Sequence, residues 1–84
     1  MNTKVLVEVY VPDLDVKYNL FIPTFKKVSN VVLDLVKAVA ELSDGAYPIS
    51  NNHALMNSDT CEIYNNNLNI KDSNIKNGTK LLLI

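Results

Sequence analysis

His53 and Cys61 are the side chains of this chain with the most obvious capacity for nucleophilic or metal chemistry, and each is the single residue of its type. They stand eight positions apart (61 − 53) in a region that reads as a short hairpin. A working Cys–His pair needs mutual geometry, a third group to orient the base, and a pocket. No neighbouring motif supplies these. The plainer expectation is a buried or half-buried Cys61 acting as a small hydrophobe, with His53 at the surface. One His and one Cys cannot furnish the four ligands of a structural zinc site or the four cysteines of an iron–sulfur cluster. Asp13, Asp15, Asp44, Asp59 and Asp72 fall among turns without the alternating spacing and central glycine of a calcium loop. Turn-capping is their expected role. With two glycines in all, the chain has no GxxxxGK[ST] or GxGxxG loop to cradle a phosphate. The expectation is a protein that is not an enzyme and holds no cofactor and no metal.

The elements that would position any functional surface follow from size and pattern. Eighty-four residues make a single domain, 1–84, with one core about one helix thick against one sheet. Hydrophobic residues are 48% and aromatics 7%, so an aliphatic core is expected. All eight basic residues are lysines and the net charge is −1. Nucleic-acid readers usually carry a basic face with arginines for bidentate contacts, so that partner class is disfavoured. A lone cysteine excludes an internal disulfide framework and fits a reducing compartment. No apolar segment follows N-terminal positive charge as in a signal peptide, and none approaches the roughly 20 residues of a membrane helix. The expected location is the cytoplasm, without direct membrane insertion.

From Thr3 to Val11 the chain alternates, with Val5, Val7, Val9 and Val11 on one side and Lys4, Leu6, Glu8 and Tyr10 on the other. That is a strand with one buried face. Pro12-Asp13-Leu14-Asp15 is a turn. A second strand, 16–23, places Tyr18, Leu20 and Ile22 opposite Lys17, Asn19 and Phe21. Val28, Val31, Val32, Leu35, Val36, Val39 and Leu42 then recur at intervals of three and four. This spacing predicts a helix over about 29–43 with one apolar stripe. Ser29 is the expected N-cap, Val28 and Leu33 the expected hydrophobic staple, and Gly45 the expected left-handed stop. Residues 46–52 read as loop. Ala54–Asn57 and Cys61–Tyr64 read as short strands. Asp72–Ile75 is an expected 3₁₀ turn with Ile75 inward, and Asn77-Gly78 a reversal into a last strand, Lys80–Ile84. The last strand most simply lies parallel to the first, between it and the third.

This order is that of an α+β, β-grasp (ubiquitin-like) fold, a mixed four- to five-stranded sheet crossed by one helix. The segment from Leu68 to Ile84 is the most particular part. It has an apolar pair, Leu68 and Ile70, then Asp72 with Ile75 three later. Asn77-Gly78, a two-residue polar step and an apolar strand follow. In this form the chain resembles the EsaB/YukD family of small bacterial ubiquitin-like proteins associated with type VII (ESX-like) secretion. Residues 43–60 depart from the pattern. The resemblance implies no catalytic residue. It implies an accessory or regulatory component of such a secretion system, binding protein partners that include secretion-system components. A ubiquitin-like carrier or modifier is disfavoured, because that role needs an activated C-terminal Gly-Gly and this sequence closes on Leu83-Ile84.

The same alternation marks a candidate surface. If Val5, Val7, Val9, Leu81 and Leu83 face the helix, then Leu6, Tyr10, Leu82 and Ile84 face away from it, joined by Phe21 from the second strand. These five are the expected protein interface, since contiguous exposed apolar patches mark binding sites and ubiquitin-like domains commonly bind through this open face. The alternative is a free-standing homodimeric β-grasp protein of an unrelated pathway, self-pairing through this face or an exposed edge strand.

Overall fold

A computed structural model describes residues 3–84. Strand β1 (Lys4–Val11) and strand β2 (Val16–Pro23) form an antiparallel hairpin in which Val11 pairs with Val16 and Lys4 with Pro23. Asp15, at φ 51°, makes the left-handed step that closes the connection. Helix α1 (Val28–Leu42) then crosses the sheet. Strand β3 (Leu55–Asn57) is antiparallel to strand β4 (Lys80–Leu83), and β4 is parallel to β1. The order across the sheet is β2-β1-β4-β3. This is the mixed sheet with one helix of the ubiquitin-like β-grasp fold.

One alternation sets which face is dry. Val5, Val7, Val9 and Val11 of β1 and Leu81 and Leu83 of β4 are buried against Val28, Val31, Leu35, Val36 and Val39 of α1. β-Branched residues suit both roles here, because the core selects shape and apolarity over intrinsic helix preference. Leu42, the last residue of the predicted stripe, is 56% exposed, so the buried seam ends at Val39 and Ala40.

Both helix ends are closed by backbone. The N-cap is Lys27 rather than Ser29, and it has no side-chain cap bond. Instead the Val28 and Ser29 N–H groups donate to the carbonyls of Leu68 and Asn66, at 2.8 and 3.1 Å. The turn at 66–68 does what a serine hydroxyl was expected to do, satisfying donors that have no partner within the helix. The expected staple is absent for the same reason: Val28 is fully buried while Leu33 is 40% exposed. At the other end the Gly45 N–H reaches the Ala40 carbonyl at 2.7 Å and the Asp44 N–H that of Glu41 at 3.1 Å. These are the two bonds of a Schellman closure, with Asp44 at φ 53° and Gly45 at φ 82°.

Three further expectations change. The core is not purely aliphatic: Tyr47 and Tyr64 are buried in it, Tyr47 from within the stretch read as loop. Cys61–Tyr64 is not a strand. Only Met56 and Ile63 make an isolated bridge, because Asn57 draws the chain into a tight turn first. The 3₁₀ turn lies at Ile70–Asp72, just ahead of the expected place, and Ile75 is buried as expected. Asn77-Gly78 does more than reverse the chain. The Leu6 N–H donates to Asn77 Oδ1 at 2.8 Å and the Gly78 N–H to the Leu6 carbonyl at 2.9 Å. The side chain thus extends the β1–β4 ladder ahead of the start of β4.

Tyr47 carries a pH signature. Burial raises its phenol pKa from the ordinary value of 10.0, and the negative charge of Asp13 adds to the effect. The neutral phenol is therefore favoured in the folded state. Its contribution to stability is complete below the unfolded value and is lost as pH rises through the folded one. Chemical denaturation followed from about pH 8 to pH 11 is expected to show a loss of stability beginning near pH 10. Tyr47→Phe should make that fall shallower, leaving the part due to Tyr10, whose pKa is also raised, first by its hydrogen bond to Asp15. An unchanged alkaline slope in the variant would exclude the assignment.

Candidate protein-interaction face

The face of the sheet away from α1 carries the even-numbered residues of β1 and β4 and the odd-numbered residues of β2. Leu6 is 40% exposed, Phe21 67% and Ile84 41%; Tyr10 and Leu82 are half-buried. The register states which of them meet. Leu6 pairs with Phe21 across β1 and β2. Tyr10 pairs with Leu82 across β1 and β4, and Leu82 with Met56 across β4 and β3. Between these two groups runs a polar row: Asn19 opposite Glu8, and Glu8 opposite Lys80. The five predicted residues are thus brought to one face but arranged as two apolar groups rather than one. Leu6 and Phe21 border a shallow hollow that Glu8, Asn19, Asn77 and Lys80 also line.

The second group is larger than the sequence reading had it. Met56 lies beside Leu82, and Ile63, bridged to Met56, is 58% exposed. A usable signal was present: Leu55 and Asn57 are buried, and Met56 between them must point the other way. Tyr10 is held in place. Its hydroxyl donates to Asp15 Oδ1 at 2.7 Å, and Lys17 Nζ stands 6.0 Å from its ring centre. Ile84 extends the face one residue beyond β4, its backbone exchanging both hydrogen bonds with Ala54 at 2.9 and 3.0 Å.

His53 and Cys61 take separate structural roles. Cys61 is exposed, not buried, because its φ of 60° turns the chain at that point. His53 is half-buried. Its Nε2 lies 3.1 Å from the Pro48 carbonyl, which can only accept, so this nitrogen carries a hydrogen. Its Nδ1 lies 2.9 Å from the Tyr47 hydroxyl and 3.3 Å from the Ile84 carbonyl oxygen. In the neutral ring Nδ1 accepts from Tyr47. The ring centres of the two residues are 4.8 Å apart. His53 therefore braces the 46–53 segment through Tyr47 and Pro48, and the Ala54–Ile84 backbone bonds join that segment to the end of β4. Among the described residues, no group of three or more His, Cys, Asp or Glu side chains is placed to hold a metal ion. No helix among them is long and apolar enough to cross a membrane.

The fold and the face define a ubiquitin-like β-grasp domain, and solved structures of that class are similar to it. An ESX-5 inner membrane complex, in a MycP5-free state, contains a chain matched with a TM-score of 0.81 at 17% identity, covering 99% of this chain and 21% of that one. The chain therefore corresponds to about a fifth of that protein's length. The ubiquitin-like domain of EccD5 from Mycobacterium xenopi matches with a TM-score of 0.79 at 17% identity, over 99% of this chain and 94% of that one. The ubiquitin-like domain of the Mycobacterium tuberculosis type VII secretion system protein EccD1 matches with a TM-score of 0.76 at 14% identity, over 100% and 99%. No protein-family model and no curated protein matches the sequence.

Proposed function

We propose that this chain is a non-catalytic protein-interaction module of a type VII (ESX-like) secretion system, acting in the bacterial cytoplasm as an accessory or regulatory component of the EsaB/YukD kind. The observation that carries the reading is the row formed by Tyr10, Leu82 and Met56 on the uncovered face. Three strands contribute one side chain each, and Ile63 and Ile84 extend the apolar surface at its margins. An extended apolar surface with a polar border suits a protein partner. The ubiquitin-like domains of type VII proteins among its structural neighbours support the choice of system, as does the form of the Leu68–Ile84 segment.

Affinity capture from the native bacterium tests this. The tagged wild-type chain is expected to retain a secretion-system component, such as an FtsK-type ATPase of the same locus. Leu82→Asp is expected to weaken that capture at least about tenfold, equivalent to about 1.4 kcal/mol. Phe25→Ser, on the helix side, should leave it unchanged. Capture of no secretion component, or equal capture by a folded Leu82→Asp, would overturn the proposal.

A further inference from the structure

The sheet has an open edge opposite to β3. Strand β2 is outermost in the order β2-β1-β4-β3, and it is eight residues long. Its inward hydrogen-bonding groups can be assigned from its neighbours. The Thr24 N–H donates to the Thr3 carbonyl, whereas the Leu6 and Glu8 N–H groups point to the β4 side. In an antiparallel ladder with this register, the even-numbered residues of β2 bond β1. The N–H and C=O groups of Lys17, Asn19 and Phe21 therefore point outward, and among the described residues nothing bonds them. Exposed edges are usually blunted by lysine, proline or a bulge. Here Lys17 and Pro23 sit near the two ends and leave Asn19 and Phe21 open.

The helix side of this edge is also unfinished. A groove of about 400 Å³ runs between β2 and α1, floored by Leu20, Ile22, Leu35 and Ala38 and flanked by Phe25, which is 65% exposed. Tyr18 and Leu20 pack on the core but remain only half-buried. Whatever covers the edge must supply a strand's backbone and apolar side chains on alternate positions.

We propose that a second copy of this chain supplies both, through antiparallel pairing of β2 with β2 about a two-fold axis at Asn19. Two four-stranded sheets then become one of eight strands (4 + 4). The chain's own residues select this register. With Asn19 opposite the partner's Asn19, Lys17 stands opposite the partner's Phe21, and the reverse. Every outward donor and acceptor of Lys17, Asn19 and Phe21 finds a counterpart, six hydrogen bonds in all, two for each of three residue pairs. Centring the pairing on Lys17 opposes two like charges. Moving it toward Phe21 brings Pro23, which has no N–H, into the ladder. On the open face the Lys17 stem lies over the partner's Phe21 ring. On the helix side Tyr18 meets the partner's Leu20, so that half-buried side chains from both copies fill the edge groove. A two-fold axis perpendicular to the sheet keeps both helices on one face, and such isologous pairing closes as a dimer. The Tyr10–Leu82–Met56 row stays free for another partner.

Sedimentation velocity of the full chain, from about 10 μM to about 1 mM, reads the self-association directly. The wild type is expected to shift from monomer to dimer across that range. Asn19→Pro removes an outward donor that the monomer does not use, and proline is tolerated on an edge. It is expected to raise the dimer dissociation constant at least about tenfold while circular dichroism and thermal unfolding stay those of the wild type. A wild type that remains monomeric throughout would sink the proposal, as would a folded Asn19→Pro that dimerises equally well. Cross-linking guards against a variant that fails to fold. Directly opposed residues in a hydrogen-bonded antiparallel pair lie about 5.5 Å apart at Cα, within disulfide range. In a Cys61→Ser background, Asn19→Cys is expected to form an intermolecular disulfide on mild oxidation faster than Leu82→Cys. The opposite order would move the contact to the other face and overturn the pairing through β2.

Discussion

Leu83→Ala is expected to destabilise the domain by about 2–5 kcal/mol, while Leu82→Ser, one residue earlier on the same strand, should cost about 1 kcal/mol or less. The two leucines differ in one respect, the side of the sheet they face. Leu83 is 1% exposed and belongs to the cluster of Val5, Val7, Val9, Leu35 and Val36. Removing its branched end leaves a cavity that flanking strands and helix cannot fill, since β4 is hydrogen-bonded on both sides, to β1 and to β3. Leu82 is half-buried between Tyr10 and Met56, where water takes up the lost contact. A domain of this size has roughly 4–13 kcal/mol of total stability at 0.05–0.15 kcal/mol per residue. The Leu83 change therefore consumes a large fraction of it. Urea denaturation of the two variants measures the contrast, with the midpoint shifting and the slope preserved. Equal losses, or a greater loss for Leu82→Ser, would mean that the strand presents its other face to the helix.

That contrast was legible in the sequence because it rests on period two, the most direct signal a chain carries. Val5 to Val11 state their own facing, and Leu81 and Leu83 repeat it at the other end. The helix was legible for the same kind of reason, through its three-and-four spacing. Its N-terminus was not. Ser29 is a good N-cap by residue type, but the carbonyls of Leu68 and Asn66 arrive from residues almost forty positions away (68 − 28 = 40; 66 − 29 = 37) and cap the helix at Lys27. Local chemistry cannot announce a partner that only the tertiary fold delivers. Tyr47 was hidden similarly. It lies among Pro48, Ser50 and Asn51, breakers without period, and is drawn into the core because its hydroxyl finds His53. For the open face, alternation placed Leu6, Tyr10, Phe21, Leu82 and Ile84 on one side. It could not set the stagger between β1 and its neighbours. Glu8 stands between Leu6 and Tyr10 by sequence alone, and the stagger sets it opposite both Asn19 and Lys80, dividing the apolar surface.

The second large effect is expected at Asn57, the one buried polar residue of the domain's described part. Sequence placed it at the end of a short strand and assigned it nothing further. In the fold its side chain uses both ends. Oδ1 accepts from the backbone N–H groups of Asp59 and Thr60 at 2.8 and 3.0 Å, and Nδ2 donates to the Tyr64 hydroxyl at 2.8 Å. That hydroxyl donates onward to Asn74 Oδ1 at 2.6 Å. The Asn57 backbone closes the same turn, its N–H donating to the Glu62 carbonyl and its carbonyl accepting from Cys61, both at 2.9 Å. One side chain therefore fixes the turn that lets Ile63 return to Met56, and it links that turn to the segment entering β4. Asn57→Ala removes three hydrogen bonds. Two of the donors thereby freed are backbone groups near the surface, which water can reach. The Tyr64 hydroxyl is largely buried and loses an incoming donor while keeping its bond to Asn74. At about 0.5–1.5 kcal/mol for each bond, and more for any group left dry, a loss of about 2–4 kcal/mol is expected. Tyr64→Phe should lose less, because Asn57 Oδ1 still holds Asp59 and Thr60. The order of the two losses carries the test. If Tyr64→Phe is the more damaging, the phenol's links matter more than the Asx turn. If Asn57→Ala is near neutral, the 57–64 turn is held by its backbone bonds alone. Hydrogen exchange separates these outcomes residue by residue: with Asn57 gone, protection at Cys61 and Tyr64 is expected to fall while that of β1 and α1 changes only with the global stability.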